Sequence, residues 1–264
     1  MRWDAVQYEK FDDHRTRPFV DLLSRIPLAD PGSIVDLGCG NGLATLSMLE
    51  RWPDARIIGI DSSSEMLEQA RAHDGDDRVS WLNADVVQWD PADVSVDLIV
   101  TNATLQWVPD HASLIERWLD AASQGAVFAM QVPGNFAADS HRIIREVVSS
   151  HSRAQELTPL LRHDPVLEPE EYADLLSTPC GHVDAWETTY VQILDPAGTQ
   201  ENPVLEWVKG TALRPILGAL RPDEVDPFLA SLGNELAVAY PRRPYGVLFP
   251  FRRIFAVGAK GGTR

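Results

Sequence analysis

The chain has 264 residues, of which 44% are hydrophobic and 23% are charged, and its formal net charge is −16 at pH 7. This length predicts one large α/β domain with insertions, or a domain with a cap. Because nucleic acids and anionic membranes both attract basic surfaces, the excess of acidic residues argues against both as partners. The sequence has no apolar run of transmembrane length and no signal-peptide pattern at its start, which predicts a cytoplasmic protein.

Cysteine and histidine positions give no sign of a metal site. The two cysteines, Cys39 and Cys180, are too few for a disulfide framework or a zinc-ligand spacing. The seven histidines form neither an H-x-x-x-H nor an H-E-x-x-H pattern. We therefore expect no bound metal, and we expect the thiol of Cys39 to be a small packing group rather than a nucleophile.

The N-terminal segment combines aromatic and charged residues ahead of the first predicted helix. Pro18 is compatible with the first turn of a helix that runs to about Ile26. Tyr8 and Phe11 are suited to closing over a bound ligand and contacting a cation through their ring faces, although packing beneath the helix would use the same residues. We assign residues 1–30 to a lid and this helix.

A strand, a glycine loop and a helix are predicted in succession from Ser33 onward. Residues 33–37 form a short apolar run, three glycines follow at alternate positions (Gly38, Gly40 and Gly42), and leucines then recur at helical spacing. This order brings backbone N–H groups and a helix N-terminus toward a ligand, and glycine permits the close approach. A tight strand-to-helix turn without a ligand would have the same pattern.

Asp61 ends the second predicted strand, about twenty residues after the glycine loop, where an acid can accept hydrogen bonds from ribose hydroxyls. Its carboxylate would repel a ribose phosphate, which disfavours a phosphorylated dinucleotide. A solvated strand end is the alternative interpretation of Asp61. Ser62 and Glu65 have the spacing of a capping box, which predicts that the next helix begins at this point.

The third and fourth predicted strands also end in polar residues. Asp85 follows the strand at residues 79–83, and Asn102 ends the strand at residues 96–102. The carboxyl ends of neighbouring parallel strands meet at one edge of a sheet, which is where doubly wound folds bind ligands. Asp85 is equally compatible with a role in capping its loop.

The alternation of strands and helices predicts a doubly wound, mostly parallel sheet of seven strands with a helical cap. We assign residues 31–135 to the ligand-binding core and residues 136–264 to the remainder. In that remainder we place core strands at about 182–194 and 246–257. The inserted cap is predicted at about 139–180 and 200–240.

The glycine loop carries a specific resemblance. The segment Asp36-Leu37-Gly38-Cys39-Gly40-Asn41-Gly42 resembles the nucleotide-binding loop of class I S-adenosylmethionine-dependent methyltransferases, which have a Rossmann-like fold. A dinucleotide fingerprint would instead have the spacing G-x-G-x-x-G. The resemblance implies S-adenosyl-L-methionine as cofactor, with S-adenosyl-L-homocysteine as its product.

The resemblance also implies which residues bind the cofactor. Asp85 would take the adenine amino group, with Val86 lying on the ring, and Trp107 would lie near the methionine end, although it is equally compatible with core packing. The full set of implied cofactor residues is Tyr8, Phe11, Asp36, Gly38, Cys39, Gly40, Asp61, Ser62, Asp85, Val86, Asn102 and Trp107.

Motifs outside the glycine loop narrow the resemblance to one family. In chain order, residues 15–18, 102–111, 131–135, 210–215, 240–241 and 249–255 are similar to the trans-aconitate 2-methyltransferase family, whose members are small-molecule carboxyl O-methyltransferases. This implies methyl transfer to one carboxylate of a small polycarboxylate. A carboxylate with a reference pKa of about 4 is already ionised at neutral pH, so no general base is expected.

An acidic protein needs local cations to bind a polyanion, and arginine binds carboxylates in bidentate fashion. Our candidates for positioning the acceptor are Arg214, Arg253 and Tyr240, together with Tyr190 as a second hydroxyl donor and Trp207 as an apolar wall. Arg252 and Arg253 should point to opposite faces of a strand, so that one of them faces solvent.

Other functions remain open from the sequence alone. The acceptor is compatible with another carboxylic acid, a phenol or a quinone. A module that binds S-adenosylmethionine without turnover would share the core motifs, and a nicotinamide dehydrogenase is disfavoured by the glycine spacing. The sequence leaves the oligomeric state undetermined.

Overall fold

The computed structural model describes residues 12–75, 78–91, 95–161 and 165–261, the first five of them by their backbone alone. Of these residues, the first compact unit takes those up to Pro133, Val166–Glu187 and those from Arg253 onward. The second unit takes Gly134–Pro165 and Thr188–Arg252. The chain therefore passes between the units four times, after Pro133, Pro165, Glu187 and Arg252.

The first unit is built on parallel strands connected by helices. Its parallel strands are β1 (Ser33–Leu37), β2 (Arg56–Asp61), β3 (Val79–Asn83), β4 (Leu98–Asn102) and β5 (Val127–Pro133). Its helices are α1 (Asp12–Ser24), α2 (Leu43–Arg51), α3 (Ser64–His73) and α4 (His111–Ala121), with a short 3-10 helix at Leu105–Trp107. The carboxyl ends of β1 and β2 meet in register, with Leu37 opposite Ile60.

Two long strands complete the sheet and run through both units. They are β6 (Cys180–Leu194) and β8 (Gly246–Lys260), and the strand order is β3-β2-β1-β4-β5-β8-β6. β8 is antiparallel to β5, with Gln131 opposite Phe255. A two-residue strand, β7 (Arg242–Arg243), pairs with β8 beside this path. The prediction of a doubly wound, mostly parallel sheet is confirmed.

The core of the first unit includes a helix that the sequence analysis placed in the cap. Helix α7 (Pro169–Ser177) contributes Tyr172 and Leu176, each 0% exposed, to the same cluster as Trp118 of α4 and Phe128 of β5. The amphipathic spacing of this helix predicted that it would bury one face, but not which surface would cover it. The predicted cap segment 139–180 is therefore divided between the two units.

The second unit consists mainly of helices. These are α5 (Asp139–Ser149), α6 (Ala154–Leu157), α8 (Pro203–Lys209), α9 (Arg214–Ala219) and α10 (Pro222–Ala239), with a 3-10 turn at Thr158–Leu160. Arg153, just before α6, donates to Glu224 of α10 at 2.8 Å in a partly buried ion pair. Phe228 and Leu232 form part of the buried face of α10.

The start of the first helix differs from the prediction. Helix α1 begins at Asp12, so Pro18 lies inside it rather than in its first turn. Phe19 and Leu22 of this helix are fully buried, and this packing offsets the backbone hydrogen bond that an internal proline removes. Within the described part of the chain, no helix combines the length and apolar character that a membrane crossing requires.

Candidate functional site

A cavity of about 400 Å³ lies in the first unit, beside the carboxyl ends of β1, β2 and β4. It brings together ten of the predicted cofactor residues: Asp36, Gly38, Cys39, Gly40, Asp61, Ser62, Asp85, Val86, Asn102 and Trp107. The other two, Tyr8 and Phe11, lie outside the described residues. The sequence analysis missed further lining residues, among them Met66, Thr104 and Val108. They lie in helix and loop segments whose apolar or small side chains give no chemical signal.

Three N–H groups of the glycine loop are already hydrogen-bonded to β2. The N–H groups of Gly38 and Cys39 both donate to the carbonyl of Ile60, at 2.8 and 3.0 Å. The N–H of Gly40 donates to the Asp61 carboxylate at 2.9 Å. The expectation that these N–H groups would face a ligand was therefore wrong, because β2 supplies their acceptors. A loop bonded in this way is poorly suited to a pyrophosphate, which depends on such donors.

Asp61 also fixes the start of helix α3. Its second carboxylate oxygen accepts from the N–H of Ser63 at 2.8 Å, and the Ser63 hydroxyl accepts from the N–H of Met66 at 3.3 Å. Ser63 is therefore the N-cap, and the predicted capping box of Ser62 and Glu65 was wrong by one residue. Ser62 is left exposed at the cavity.

Asp36 is a buried acid at the base of the cavity. The residue is only 2% exposed, and its carboxyl group accepts a hydrogen bond from the Thr45 hydroxyl of α2 at 2.6 Å. Burial raises the pKa of the Asp36 carboxyl from 3.8 to about 7, although the hydrogen bond from Thr45 lowers it; the nearby Asp61 carboxylate raises it further. Near neutral pH this group is therefore partly protonated.

We expect Asp36 to make stability depend on pH. Because its folded pKa of about 7 lies above the ordinary 3.8, its contribution is fully present below 3.8 and is lost as the pH rises through 7. The variant Asp36→Asn is neutral at every pH. The free energy of unfolding of the wild type, relative to this variant, should therefore fall between about pH 4 and about pH 7 in urea titrations. A difference that does not change with pH would contradict the prediction.

The far side of the cavity is formed where β3 and β4 end. Asp85 is exposed and one of its oxygens accepts from the N–H of Val87 at 3.0 Å, so it does cap its loop while also lining the cavity. Val86 beside it is 7% exposed. The side-chain oxygen of Asn102 is buried and has no hydrogen-bond partner among the described residues.

Trp107 and Val108 form a wall of the cavity that is supported from behind by a buried polar pair. Trp107 is the last residue of the short 3-10 helix, and its backbone N–H donates to the carbonyl of Thr104. His111, at the start of α4, bonds through Nε2 to the Tyr172 hydroxyl at 2.8 Å. Burial lowers the pKa of His111. Helix α7 thereby holds the segment that follows β4.

Cys39 lies in the loop as a packing residue. It is 6% exposed, and burial followed by the charges of Asp36 and Asp61 raises the pKa of its thiol far above the ordinary value. A thiol held in its protonated form is a poor nucleophile. Among the described residues, no group of histidine, cysteine and carboxylate side chains is arranged to hold a metal ion.

The predicted acceptor residues lie in different units. Four belong to the second unit, where Trp207 and Tyr240 both contact Phe249, with ring centroids 5.6 and 5.4 Å away. The Tyr240 hydroxyl accepts from the N–H of Ser140 at 2.9 Å. The other two are Tyr190, which is 6% exposed, and Arg214, which begins α9.

Arg253, the fifth predicted acceptor residue, belongs to the first unit. It is 5% exposed, whereas its neighbour Arg252 is only half-buried. Its guanidinium donates to the side-chain oxygen of Gln131 on β5 at 3.5 Å. Of the two adjacent arginines, Arg253 is thus the one held inside the sheet.

Comparison with known proteins shows which proteins this chain resembles. Residues 34–125 match a family model described as a methyltransferase domain. The trans-aconitate 2-methyltransferase of Streptomyces coelicolor is 47% identical over 98% of this chain and 86% of its own length. The enzyme of that name from Rhodococcus jostii is 49% identical, over 97% of this chain and 98% of its own.

Solved structures agree on the fold. The plantazolicin methyltransferase BpumL, in complex with a triazolic desmethylPZN analog and SAH, aligns with a TM-score of 0.51 at 18% identity, covering 98% of this chain and 91% of its own. Phosphoethanolamine N-methyltransferase 2 of Haemonchus contortus, in complex with S-adenosylmethionine, aligns with a TM-score of 0.52 at 18% identity, covering 94% and 53%. Identities this low support the shared fold alone.

Proposed function

The chain belongs to the trans-aconitate 2-methyltransferase family, and from this membership we propose that it transfers a methyl group from S-adenosylmethionine to one carboxylate of trans-aconitate. The observation that carries the proposal is identity of 43–49% to the curated family members across nearly the whole chain, including both units. The enzyme is therefore an S-adenosylmethionine-dependent carboxyl O-methyltransferase.

The residues of the cavity fit this cofactor. A volume of about 400 Å³ is in the range of small-molecule sites. An added Cβ at Gly40 would meet no heavy atom within 4 Å, so the loop leaves open space there. The buried oxygen of Asn102 lacks a donor among the described residues, and an ammonium group of the cofactor would supply one. We propose that Asp61 accepts from the ribose, and that Asp85 and Val86 hold the adenine.

The reaction needs alignment rather than a base. Bound S-adenosylmethionine supplies an electrophilic methyl group on a positively charged sulfur. The acceptor carboxylate is already ionised at neutral pH, because its ordinary pKa is about 4. The protein must therefore hold the acceptor in line and exclude water, which would otherwise stabilise the separated charges. We propose that Trp107 and Val108 contribute to excluding water.

Binding of the acceptor requires local positive charge, since the chain as a whole carries −16. We propose that Arg253 and Arg214 bind its carboxylates, that Tyr240 and Tyr190 donate hydroxyl hydrogen bonds, and that Trp207 forms an apolar wall. Tyr240 supports this role because its hydroxyl already accepts from Ser140, which leaves its hydrogen available to a ligand. Location in the cytoplasm stays a prediction.

The proposed function is tested by a transfer assay with labelled S-adenosylmethionine and a panel of acids: trans-aconitate, cis-aconitate, citrate, isocitrate and a monocarboxylate. We expect a base-labile methyl ester, formed fastest with trans-aconitate. Turnover with another acid alone would keep the chemistry and overturn the acceptor. Binding of the cofactor without turnover of any acid would favour a non-catalytic binding module.

Replacing the acceptor arginines should separate acceptor binding from cofactor binding. Truncation of a charged hydrogen-bonding partner costs about 1.5–3 kcal/mol, so Arg253→Ala and Arg214→Ala should each raise the KM for trans-aconitate about 10-fold or more. The dissociation constant for S-adenosylhomocysteine should stay unchanged. Arg142→Ala, which removes an exposed arginine of α5, is the surface control. An unchanged KM in both acceptor variants would contradict the polycarboxylate site.

A further inference from the structure

One buried side chain beside the cavity has an unused hydrogen-bond donor. Gln131 on β5 is 1% exposed, and its amide nitrogen has no hydrogen-bond partner among the described residues. Buried amide donors are rarely left unbonded, because they lose their hydrogen bonds to water. Such a group either destabilises the folded protein or donates its hydrogen bond to a bound ligand.

The neighbouring arginine fixes which way the amide points. The Arg253 guanidinium, which has only donors, lies 3.5 Å from the side-chain oxygen of Gln131. Exchanging the oxygen and nitrogen of the amide would place two donors against each other. The nitrogen of Gln131 is therefore directed away from Arg253.

The position of Gln131 in the sheet places it at the ligand edge. It lies directly opposite Asn102 in the parallel pair of β4 and β5. Residues opposite each other in a parallel pair project from the same face, so the Gln131 side chain emerges on the same face as Asn102, a residue that lines the cavity. The carboxyl end of this pair thus carries an unused donor on Gln131 and an unused acceptor on Asn102.

We propose that the side-chain N–H of Gln131 donates a hydrogen bond to a carboxylate of the acceptor, beside Arg253. This inference rests on the proposed function. An amide N–H next to a guanidinium is complementary to an anion with several oxygens, whereas the Asn102 oxygen is complementary to the ammonium group of the cofactor. The Gln131 nitrogen therefore binds the acceptor and the Asn102 oxygen binds the cofactor. In this way Gln131 helps to select acidic acceptors.

Two substitutions test Gln131. Gln131→Glu keeps the size and gains an ion pair with Arg253, but turns an anionic oxygen toward the ligand; Gln131→Met removes the amide without adding charge. Losing a hydrogen bond to a charged group weakens the affinity for a ligand by a factor of about 10 to 100. We expect the KM for trans-aconitate to rise by this factor in both variants, and more in Gln131→Glu. The affinity for S-adenosylhomocysteine, measured by calorimetry, should be unchanged.

Thr101→Val is the matched control. Thr101 is also buried at the end of β4, but its hydroxyl donates to the carbonyl of Leu37 and its side chain projects from the opposite face. Its removal should lower the melting temperature without raising the KM. If Gln131→Met fails to fold, Gln131→Asn, which keeps a shorter amide, and the Glu variant provide the measurement.

The outcomes separate this inference from the proposed function. If the wild type turns over trans-aconitate and neither Gln131 variant raises the KM, the inference is overturned and the function stands. If the variants weaken binding of S-adenosylhomocysteine instead, the carboxylate is that of the cofactor and the inference is again overturned. Absence of wild-type turnover with any acid overturns the proposed function itself, whatever the variants do.

Discussion

Gly38→Ala should destabilise the protein more than the same change at Gly40, a nearby loop position that faces open space. Gly38 has φ +83°, and an added Cβ would come within 2.7 Å of the Thr104 Cβ. The left-handed backbone costs about 1–2 kcal/mol for alanine. Overpacking against Thr104 adds about 1–3 kcal/mol. A shift of this size is measured as a lower midpoint in urea unfolding and a lower melting temperature.

Gly40→Ala is the matched comparison for this prediction. Gly40 also has a positive φ, +56°, but an added Cβ meets no heavy atom within 4 Å. Its stability should therefore fall by only the backbone cost of about 1–2 kcal/mol, while the affinity for S-adenosylhomocysteine falls because the methyl group occupies cavity space. Equal loss of stability in the two variants would contradict the role given to Thr104.

Asp61→Ala should weaken cofactor binding about 100-fold or more, because two charge-assisted hydrogen bonds that shape the cavity are lost together. Its carboxylate accepts from Gly40 and Ser63, at 2.9 and 2.8 Å, and so joins the glycine loop to the start of α3. We propose that it also accepts from the cofactor ribose. Calorimetry with S-adenosylhomocysteine measures the dissociation constant directly.

Asp97→Ala provides a chemically equivalent control at the other end of the sheet. One oxygen of Asp97 accepts from the N–H groups of Gly32 and Ser33, at 2.8 and 3.0 Å, where β1 begins. Its loss should lower stability to a similar extent but leave the dissociation constant for S-adenosylhomocysteine unchanged. If Asp97→Ala weakens cofactor binding as much as Asp61→Ala, the effect is a general loss of structure.

The sheet and most of the cavity were predictable from local patterns. Short apolar runs that end in Gly38, Asp61 or Asn102 identify parallel strands and the edge at which they finish, because each signal lies within a few residues. The sequence did not reveal that the Asp61 carboxylate would accept from the N–H of Gly40, since the partner of a side chain depends on the tertiary register. The one-residue shift of the N-cap to Ser63 has the same cause.

The acceptor residues were predicted on weaker grounds. Trp207 and Tyr240 are separated in sequence by the two helices α9 and α10, and both contact Phe249, whose strand comes later in the chain. Gln131 was overlooked because a glutamine inside an apolar strand resembles an ordinary interruption, and its unused donor becomes visible only when its neighbours are known. Helix α7 was placed in the cap because an amphipathic pattern does not identify the partner of its buried face.

The chain passes between the two units four times. This limits how a new acceptor preference could arise by recombination between relatives. A chimera that took the second unit from a relative would need two separate segments joined at four points. The junctions after Glu187 and Arg252 fall inside β6 and β8, where a slip of one residue turns every following side chain to the opposite face. Recombination of whole modules is therefore a poor route to diversity in this architecture, and gradual substitution at individual positions is the accessible one.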